Sequence, residues 1–276
     1  EAARLAISKA GKQAQDINYL FGGDLLNQII TANYAARSLS IPFFGLYGAC
    51  STLTESMSLA SIAISGEYAD LALCVTSSHF CTAERQYRYP LEMGNQRPPT
   101  AQWTVTGAGA FLLSNDDKSP YITYITTGKV IDYGITDTNN MGAAMAPAAA
   151  ASIKAHFEDT RQGPDAYDLI VTGDLGSFGR ELAIDLLKKD GYDISDRLID
   201  CGCEIYSREQ DVHAGASGCG CSAVVFGAYI LKNMEEGRYK RILLLSTGAL
   251  LSTTSIQQGE SIPGIAHGIV IDMDRG

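Results

Sequence analysis

Apolar residues in this chain fall into short continuous runs that alternate with longer stretches of helical period. Continuous apolar runs are typical of parallel strands that are covered by helices on both faces. Recurrence of apolar residues every three or four positions predicts helices over 25–39, 51–64, 145–157, 180–188 and 223–234. Runs over 104–113 and 262–271 predict further strands that close each half of the chain. The alternation predicts an α/β fold with right-handed parallel crossovers.

The chain also contains an internal repeat. An apolar run that ends in Gly-Asp-Leu occurs at Gly23–Leu25 and again 150 positions later at Gly173–Leu175. Segments 66–76 and 237–247 match at an offset of 171 positions, and that offset also pairs Cys50 with Cys221. Because the matching segments keep their order, we predict two similar halves, residues 1–140 and 141–276.

Two regions interrupt this regular pattern. The stretch 80–100 contains Pro90, Pro98 and Pro99 and is predicted to be a long irregular loop between two strands of the first half. The first residues, from Glu1 onward, have the pattern of an amphipathic helix without a start signal. We therefore expect the front of the first half to be truncated.

Composition excludes two broad classes of protein. The 276 residues are 46% hydrophobic and carry 21 Lys and Arg against 31 Asp and Glu, a net charge of −10. Nucleic-acid binding is not expected, because it depends on clustered cations. The strongly apolar run 241–251 is about half the roughly 20 residues that cross a bilayer, so no transmembrane segment is expected. Seven cysteines in a chain of this size favour a reducing compartment over a disulfide framework.

Cys50 is the strongest candidate for chemistry. It follows an apolar strand and the turn residue Gly48, and it lies at the start of a predicted helix. Backbone N–H groups and the helix dipole at such a position favour a thiolate, which is the nucleophilic form. The alternative is a small buried cysteine next to a helix cap formed by Ser51 or Thr52.

A thiolate nucleophile needs an imidazole partner, and the chain has four histidines. His79 follows a strand and His267 interrupts the last one, so both are candidates for a site at strand carboxyl ends. Each is also compatible with a structural role. His156 lies within a predicted helix and is expected to be a surface or packing residue, and His213 lies in an inserted stretch before Gly215.

Metal and cofactor binding receive little support. Cys201-Gly-Cys203 and Cys219-Gly-Cys221 have a spacing of one residue, which suits a zinc site poorly, so no metal is predicted. Gly107-Ala-Gly109 lacks the rest of a dinucleotide fingerprint, and no phosphate-binding loop occurs. No cofactor is predicted.

The loop segment 83–90 places Arg85 and Arg88 among Tyr87 and Tyr89. Guanidinium groups bind carboxylates at two points and tyrosine rings offer flat surfaces, so the segment would suit a small planar polycarboxylate. The alternative is a loop that arginine–carboxylate pairs hold on the protein surface.

The repeat and the Gly-Ala-Cys-Ser-Thr turn resemble the thiolase and ketoacyl-synthase superfamily. Nearly the whole chain is similar to one branch of it, the stage V sporulation protein AD family of spore-forming bacteria. The segments that carry this resemblance are Gly23–Gln28, Thr31–Arg37, Phe44–Thr52, Thr76–His79, Ala83–Pro90, Asp132–Asp137, Met141–Ala150, Thr247–Ser252 and Ser261–Gly268.

The resemblance implies a five-layered α-β-α-β-α fold made of two similar halves. It also implies a component of the machinery that takes up dipicolinic acid into the developing spore, peripheral on the spore inner membrane. The implied partners are dipicolinate, free or as its calcium chelate, and membrane-embedded proteins of the same complex. A homodimer is implied as well, and we expect the strand in 66–78 to pair across its two-fold axis.

Condensing enzymes of this superfamily use a cysteine with two further catalytic groups, and here only Cys50 maps onto that set. Gly173–Gly179 stands where ketoacyl synthases have a histidine motif, His213 is one residue out of the thiolase pattern, and the second thiolase cysteine falls near Gly264. Losing proton-transfer groups costs roughly 10²- to 10⁴-fold each in rate. We therefore expect no catalytic residues and an inherited cleft that binds ligand. The alternative is a Cys50-dependent acyltransferase or thiolase-like enzyme acting on coenzyme A thioesters.

The implied cleft lies between the halves. The candidate ligand-binding residues are Cys50, His79, His267, Asp24, Asn27, Arg85 and Arg88.

Overall fold

The computed structural model describes residues 1–87 and 96–274, which form two large mixed β-sheets, one two-stranded sheet and three layers of helices. The strands in chain order are β1 (Tyr19–Asp24), β2 (Phe43–Gly45), β3 (Leu71–Ser78), β4 (Trp103–Thr104), β5 (Gly107–Ser114), β6 (Tyr121–Thr126), β7 (Leu169–Thr172), β8 (Leu198–Asp200), β9 (Ala216–Ser217), β10 (Arg241–Ala249) and β11 (Gly264–Asp272). The α-helices are α1 (Ala2–Lys9), α2 (Ile30–Leu39), α3 (Thr52–Ser65), α4 (Phe80–Tyr87), α5 (Met141–Thr160), α6 (Gly176–Lys189), α7 (Cys201–Glu204), α8 (Cys219–Val225), α9 (Leu231–Glu235) and α10 (Thr253–Gln257).

The two large sheets repeat one topology. The first has the order β2-β1-β3-β5, in which β5 runs antiparallel to β3 and the others are parallel. The second has the order β6-β11-β10-β7-β8, in which β11 runs antiparallel to β10 and to β6. The sequence repeat therefore corresponds to the pairs β1 and β7, β3 and β10, and β5 and β11. The division at residue 140 stays a prediction, and β6, which precedes it, belongs to the second sheet.

The helices complete an α-β-α-β-α arrangement of layers, as predicted. Helices α1 and α2 cover the outer face of the first sheet, and α5 and α6 lie on the outer side of the second. Helix α3 lies between the sheets and packs against β1 and β3 on one side and β10 and β11 on the other. Its Leu53 and Met57 belong to the same buried cluster as Leu244 and Ile269. Because α3 starts directly after Cys50, this central layer fixes the position of the candidate nucleophile.

Three expectations about individual elements were wrong. The segment Phe80–Tyr87, which was expected to be part of a loop, is an α-helix. It buries Ala83 and Glu84 on one face. Helix α2 begins at Ile30 rather than at residue 25, since Gln28 and Ile29 take positive φ angles. Strand β3 is flanked by β1 and β5 within its sheet, so it cannot pair with a second copy across a two-fold axis.

His156 is a packing residue. It lies on α5 with 1% of its surface exposed. Its two ring nitrogens form hydrogen bonds of 2.7 Å with the Thr126 hydroxyl and 2.6 Å with the Tyr167 hydroxyl. Burial lowers the pKa of His156 to about 4, and the nearby Arg241 adds to that effect.

Candidate functional site

Cys50 lies in a short 3₁₀ turn, Ala49–Ser51, that leads into α3. Ala49 has a φ angle of +50°, an uncommon conformation for a residue with a side chain. The hydroxyl of Ser51 donates to the carbonyl of Gly48 at 2.7 Å and holds the turn. A side chain at Gly248, at the end of β10, would collide with that same carbonyl. The turn therefore fits closely against the second sheet, which sets the position of the Cys50 thiol.

A recess of about 480 Å³, part of which is open solvent, adjoins the thiol. The part of it that can hold the centre of a water-sized molecule is about 40 Å³, so the recess is narrow. Both halves of the chain contribute to its walls. The lining residues are Leu25, Ala49, Cys50, Ala83, Glu84, Tyr87, Thr104, Met141, Met145, Ser217, Ala249 and Leu251.

The walls of this recess are mostly apolar, with a few hydroxyl groups. Thr104 and Ser217 bring hydroxyls into it from β4 and β9, which pair as a short parallel ribbon between the halves. Met141 and Met145 come from the first two turns of α5. Such walls suit a flat apolar molecule with polar groups at its edge.

The environment of Cys50 opposes a thiolate. Its thiol forms a side-chain hydrogen bond with Cys219, is buried, and lies beside the carboxylate of Asp174, and all three raise the pKa of Cys50 well above its usual value. The sulfur of Cys219 also donates to the carbonyl of Ala49 at 3.2 Å. The prediction that the helix start favours a thiolate at Cys50 was wrong, because the hydrogen bond with Cys219, burial and the Asp174 carboxylate all raise the thiol pKa.

Asp174 follows β7 and lies beneath Cys50, with 1% of its surface exposed. Its Oδ1 accepts from the Thr247 hydroxyl at 2.9 Å, and its Oδ2 accepts from the Gly218 amide at 2.8 Å and the Ser217 hydroxyl at 3.1 Å. Burial is the largest cause that raises the pKa of Asp174 to about 6, although these donors act against it. The group next to Cys50 is thus a carboxyl rather than an imidazole.

Helix α4 forms one side of the recess and is held by a buried ion pair. Glu84 Oε2 lies 2.9 Å from Arg97 Nη2, and Glu84 Oε1 accepts from the Thr104 hydroxyl at 3.0 Å. The guanidinium of Arg97 stacks 4.1 Å above the ring of Trp103, which itself stacks on Phe80 at the start of α4. Tyr87, at the other end of α4, donates to the carbonyl of Leu25. Both ends of the helix are therefore anchored.

A wider groove of about 800 Å³, again including open solvent, continues from the recess to the surface. Asp24, Asn27, Tyr47 and Ser252 are among the residues that line it. Asp24 accepts from the amides of Leu26 and Ala32, both at 2.8 Å, and burial raises its pKa. The groove gives solvent a route to Cys50.

The structure separates the seven residues that the sequence proposed as ligand contacts. Cys50 lines the recess, and Asp24 and Asn27 line the groove. His79 is exposed just before α4, and Arg85 is exposed on α4. Arg88 lies outside the described residues.

His267 lies apart from the recess lining as well. It is 9% exposed within β11, where its Nδ1 accepts from the amide of Gly128 at 3.3 Å. Burial lowers its pKa, which favours the neutral ring.

Sequence reasoning missed Asp174, Cys219 and Glu84 as members of the site. A signal existed for Asp174, since the repeat pairs it with Asp24 at the end of an equivalent strand. In the sequence, Cys219 stands out only through the Cys219-Gly-Cys221 pattern, which suits a zinc site poorly. Within residues 1–87 and 96–274, no group of three or more His, Cys, Asp or Glu is arranged to hold a metal ion. All seven cysteines are free thiols. Glu84 gave no signal, because its segment was read as a loop.

Comparison with known protein families gives a match over nearly the whole chain. The family described as stage V sporulation protein AD matches residues 1–272. Stage V sporulation protein AD of Bacillus subtilis (strain 168) is 51% identical over 276 residues, covering 100% of this chain and 82% of that protein.

Several solved structures share this fold. The 3-oxoacyl-[acyl-carrier-protein] synthase III of Aquifex aeolicus has a TM-score of 0.60 and 12% identity, covering 98% of this chain and 82% of that one. The H285N form of OleA from Xanthomonas campestris has a TM-score of 0.63 and 19% identity, and the match covers 97% of this chain and 80% of that one. At these identities the likeness concerns the thiolase-like fold alone.

Proposed function

Because this chain belongs to the stage V sporulation protein AD family, we propose that it is a non-catalytic component of the sporulation machinery that binds dipicolinate in the recess beside Cys50. Its role would be in the uptake of dipicolinate into the developing spore. The thiolase-like fold supplies the cleft, and the cleft binds its ligand without chemical change.

The surroundings of Cys50 support binding over catalysis. Condensing chemistry needs a thiolate and groups that move protons, and here a buried thiol contacts a second thiol and a carboxyl. Among the described residues that line the recess there is no histidine. A thiol whose pKa is raised this far is almost wholly protonated at neutral pH and is therefore a weak nucleophile.

The shape and polarity of the recess support an aromatic carboxylate as ligand. Met141 and Met145 offer polarisable apolar surface to a flat ring, and the hydroxyls of Thr104 and Ser217 can reach its edge. Asp24 in the groove adds negative charge, whereas Arg97 offsets the charge of Glu84. Such charge favours entry of dipicolinate as its electrically neutral calcium chelate.

The proposed place of action is the spore inner membrane, in a complex with membrane-embedded proteins of the same transport system. No helix within the described residues is long and apolar enough to cross a bilayer. Attachment would then depend on those partner proteins. We also propose a homodimer, which would use an edge of the first sheet.

Calorimetric titration with dipicolinate tests the binding function. We expect saturable heat at ligand concentrations below about 1 mM, corresponding to more than roughly 4 kcal/mol of binding free energy. Benzoate, with one carboxylate, serves as the control ligand and should bind more weakly. Absence of heat at millimolar dipicolinate, with the protein shown to be folded, would contradict the proposal.

Acyl trapping separates this function from that of a Cys50-dependent acyltransferase. Labelled acyl-coenzyme A should leave no adduct on the protein, and Cys50→Ala should still bind dipicolinate. An adduct that Cys50→Ala abolishes would support the enzyme instead. A protein that only holds its membrane complex together would show neither an adduct nor ligand binding.

A further inference from the structure

Three residues with hydroxyl groups line the recess, and all three hydroxyls donate to protein acceptors: that of Tyr87 to the carbonyl of Leu25, and those of Thr104 and Ser217 to buried carboxyl groups. Ser217 donates to Asp174 Oδ2 at 3.1 Å, and Thr104 donates to Glu84 Oε1 at 3.0 Å. A hydroxyl carries one proton, so neither can donate to a bound carboxylate while it donates to a protein carboxylate. A carboxylate ligand in this recess would therefore meet acceptors where it needs donors.

Asp174 is the group whose protonation would change this. A protonated Asp174 no longer needs the proton of Ser217, and it can donate its own to the Thr247 hydroxyl, which is 2.9 Å away. The Gly218 amide still has an acceptor in the carboxyl oxygen that stays unprotonated. The hydroxyl of Ser217 is then free to turn into the recess and donate to a ligand.

The acidic groups around Asp174 also favour its protonation. Asp200, on β8, adds negative potential, and the thiols of Cys50, Cys219, Cys201 and Cys221 lie close by. Asp200 itself accepts from the Thr172 hydroxyl and the amides of Leu175 and Gly176, and none of these three residues lines the recess. A ligand carboxylate brought next to this cluster would strengthen the tendency of Asp174 to take up a proton.

We propose that Asp174 and Ser217 form a proton-dependent subsite, in which binding of a carboxylate ligand is coupled to uptake of one proton on Asp174 and Ser217 becomes the donor to the ligand. This inference rests on the proposed binding function. The proton comes from solvent and resides on Asp174 while the ligand is bound. Asp174 acts as a positioning residue, and Ser217 contacts the ligand.

Titration calorimetry in calcium-free buffers with EDTA tests the coupling. Dipicolinate is titrated at pH 7 in buffers with different ionisation enthalpies, which gives the number of protons taken up. Wild-type protein should take up between about 0.5 and 1 proton per site, and its affinity should rise as much as tenfold from pH 8 to pH 7, the limit for one linked proton. The carboxyl groups of the ligand have ordinary pKa values well below this window.

Two substitutions assign the proton. Asp174→Asn mimics the protonated carboxyl, so it should bind without proton uptake and with an affinity nearly independent of pH. Asp24→Asn makes the same change at the equivalent position of the repeat and tests the groove as a rival site for the proton. Asp190→Asn, at an exposed residue outside the linings of the recess and the groove, is the control and should leave uptake intact. Ser217→Ala should weaken binding by roughly five- to tenfold, the usual effect of one lost hydrogen bond. Circular dichroism and thermal unfolding check that each variant is folded.

The outcomes distinguish the two proposals. No binding by wild-type protein at any pH, either in EDTA or with dipicolinate supplied as its calcium chelate, contradicts the binding function itself. Binding without proton uptake, or uptake that persists in Asp174→Asn, overturns the coupling and leaves the binding function standing. Loss of uptake in Asp24→Asn while it persists in Asp174→Asn would move the proton to the groove and likewise overturn it.

Discussion

Asp24 and Asp174 are equivalent residues of the repeat, yet the structure gives them different partners. Asp24 accepts from backbone amides of the chain that follows it and faces the groove. Asp174 lies against Cys50 and accepts from Ser217 and Thr247. The sequence shows the equivalence, because it depends on spacing along the chain. It does not show the difference in partners, which arises because the end of β7 lies against the Cys50 turn of the first half.

Cys50 illustrates the same limit for a single residue. The turn and the helix start around it were predictable, since Gly48 and the apolar run mark them. The raised pKa of its thiol could not be predicted, because Cys219 and Asp174, which raise it, are distant from Cys50 in the sequence. Local patterns predict where a side chain lies on its own element, whereas its electrostatic environment comes from tertiary contacts.

His156 provides a test of this electrostatic picture. The pKa of about 4 in the folded protein lies below the value near 6.5 of an unfolded chain. The unfolded state therefore binds the proton more tightly, and His156 lowers the free energy of unfolding as the pH falls from 6.5 to 4, by at most about 3 kcal/mol.

We expect the imidazole signals of His156, followed by NMR, to titrate near pH 4. A midpoint for His156 at or above 6.5 would contradict the account of its burial.

Among the elements, α4 shows why part of the site escaped prediction. Three prolines in 80–100 favoured a loop, and Phe80–Tyr87 is too short for its helical period to outweigh them. Tertiary contacts supply the helix with its stability, mainly the pair of Glu84 and Arg97 and the stacking of Phe80 on Trp103. The strands and the longer helices were predictable, because each buries a continuous apolar face.

Removing the guanidinium of Arg97 should loosen this wall of the recess. Arg97→Met removes the guanidinium that pairs with the buried Glu84, and losses of about 3 to 5 kcal/mol are usual when one partner of a buried pair is removed. We expect a lower melting temperature and weaker dipicolinate binding, measured by thermal unfolding and calorimetry.

The double variant Glu84→Gln with Arg97→Met removes both charges and should recover much of the lost stability. Lys232→Met, which removes an exposed pair with Glu236, is the control and should change stability by no more than about 1 kcal/mol. Equal losses for Arg97→Met and Lys232→Met would contradict the role of the buried pair.

For the whole molecule, the edge of the first sheet at β2 offers a surface for self-association. The outer side of β2 has no neighbouring strand within the described residues. Phe44 on β2 is 52% exposed, and its ring contacts those of Phe21 and Tyr19. Exposed aromatic surface at an open strand edge favours pairing with another chain. The expected two-fold contact therefore fits β2 and not β3.

Light scattering in solution should give twice the chain mass of 29.5 kDa. Phe44→Lys places a charge on this edge and should shift the protein toward the monomer, because a charged side chain opposes strand pairing. Phe178→Lys makes the same change on α6, far from the first sheet, and should leave the mass unchanged. A wild-type mass near that of one chain would exclude the dimer.

Leu25 and Cys50 come from the first half of the chain, and Met145 and Ala249 from the second, so each half carries only part of the recess wall. The shape of the binding space is therefore a joint property of two stretches of sequence that can mutate separately. A chimaera that takes one half from a relative would keep both sheets and inherit a mismatched recess. Ligand selectivity in this architecture has to be transplanted, or to evolve, with both halves together.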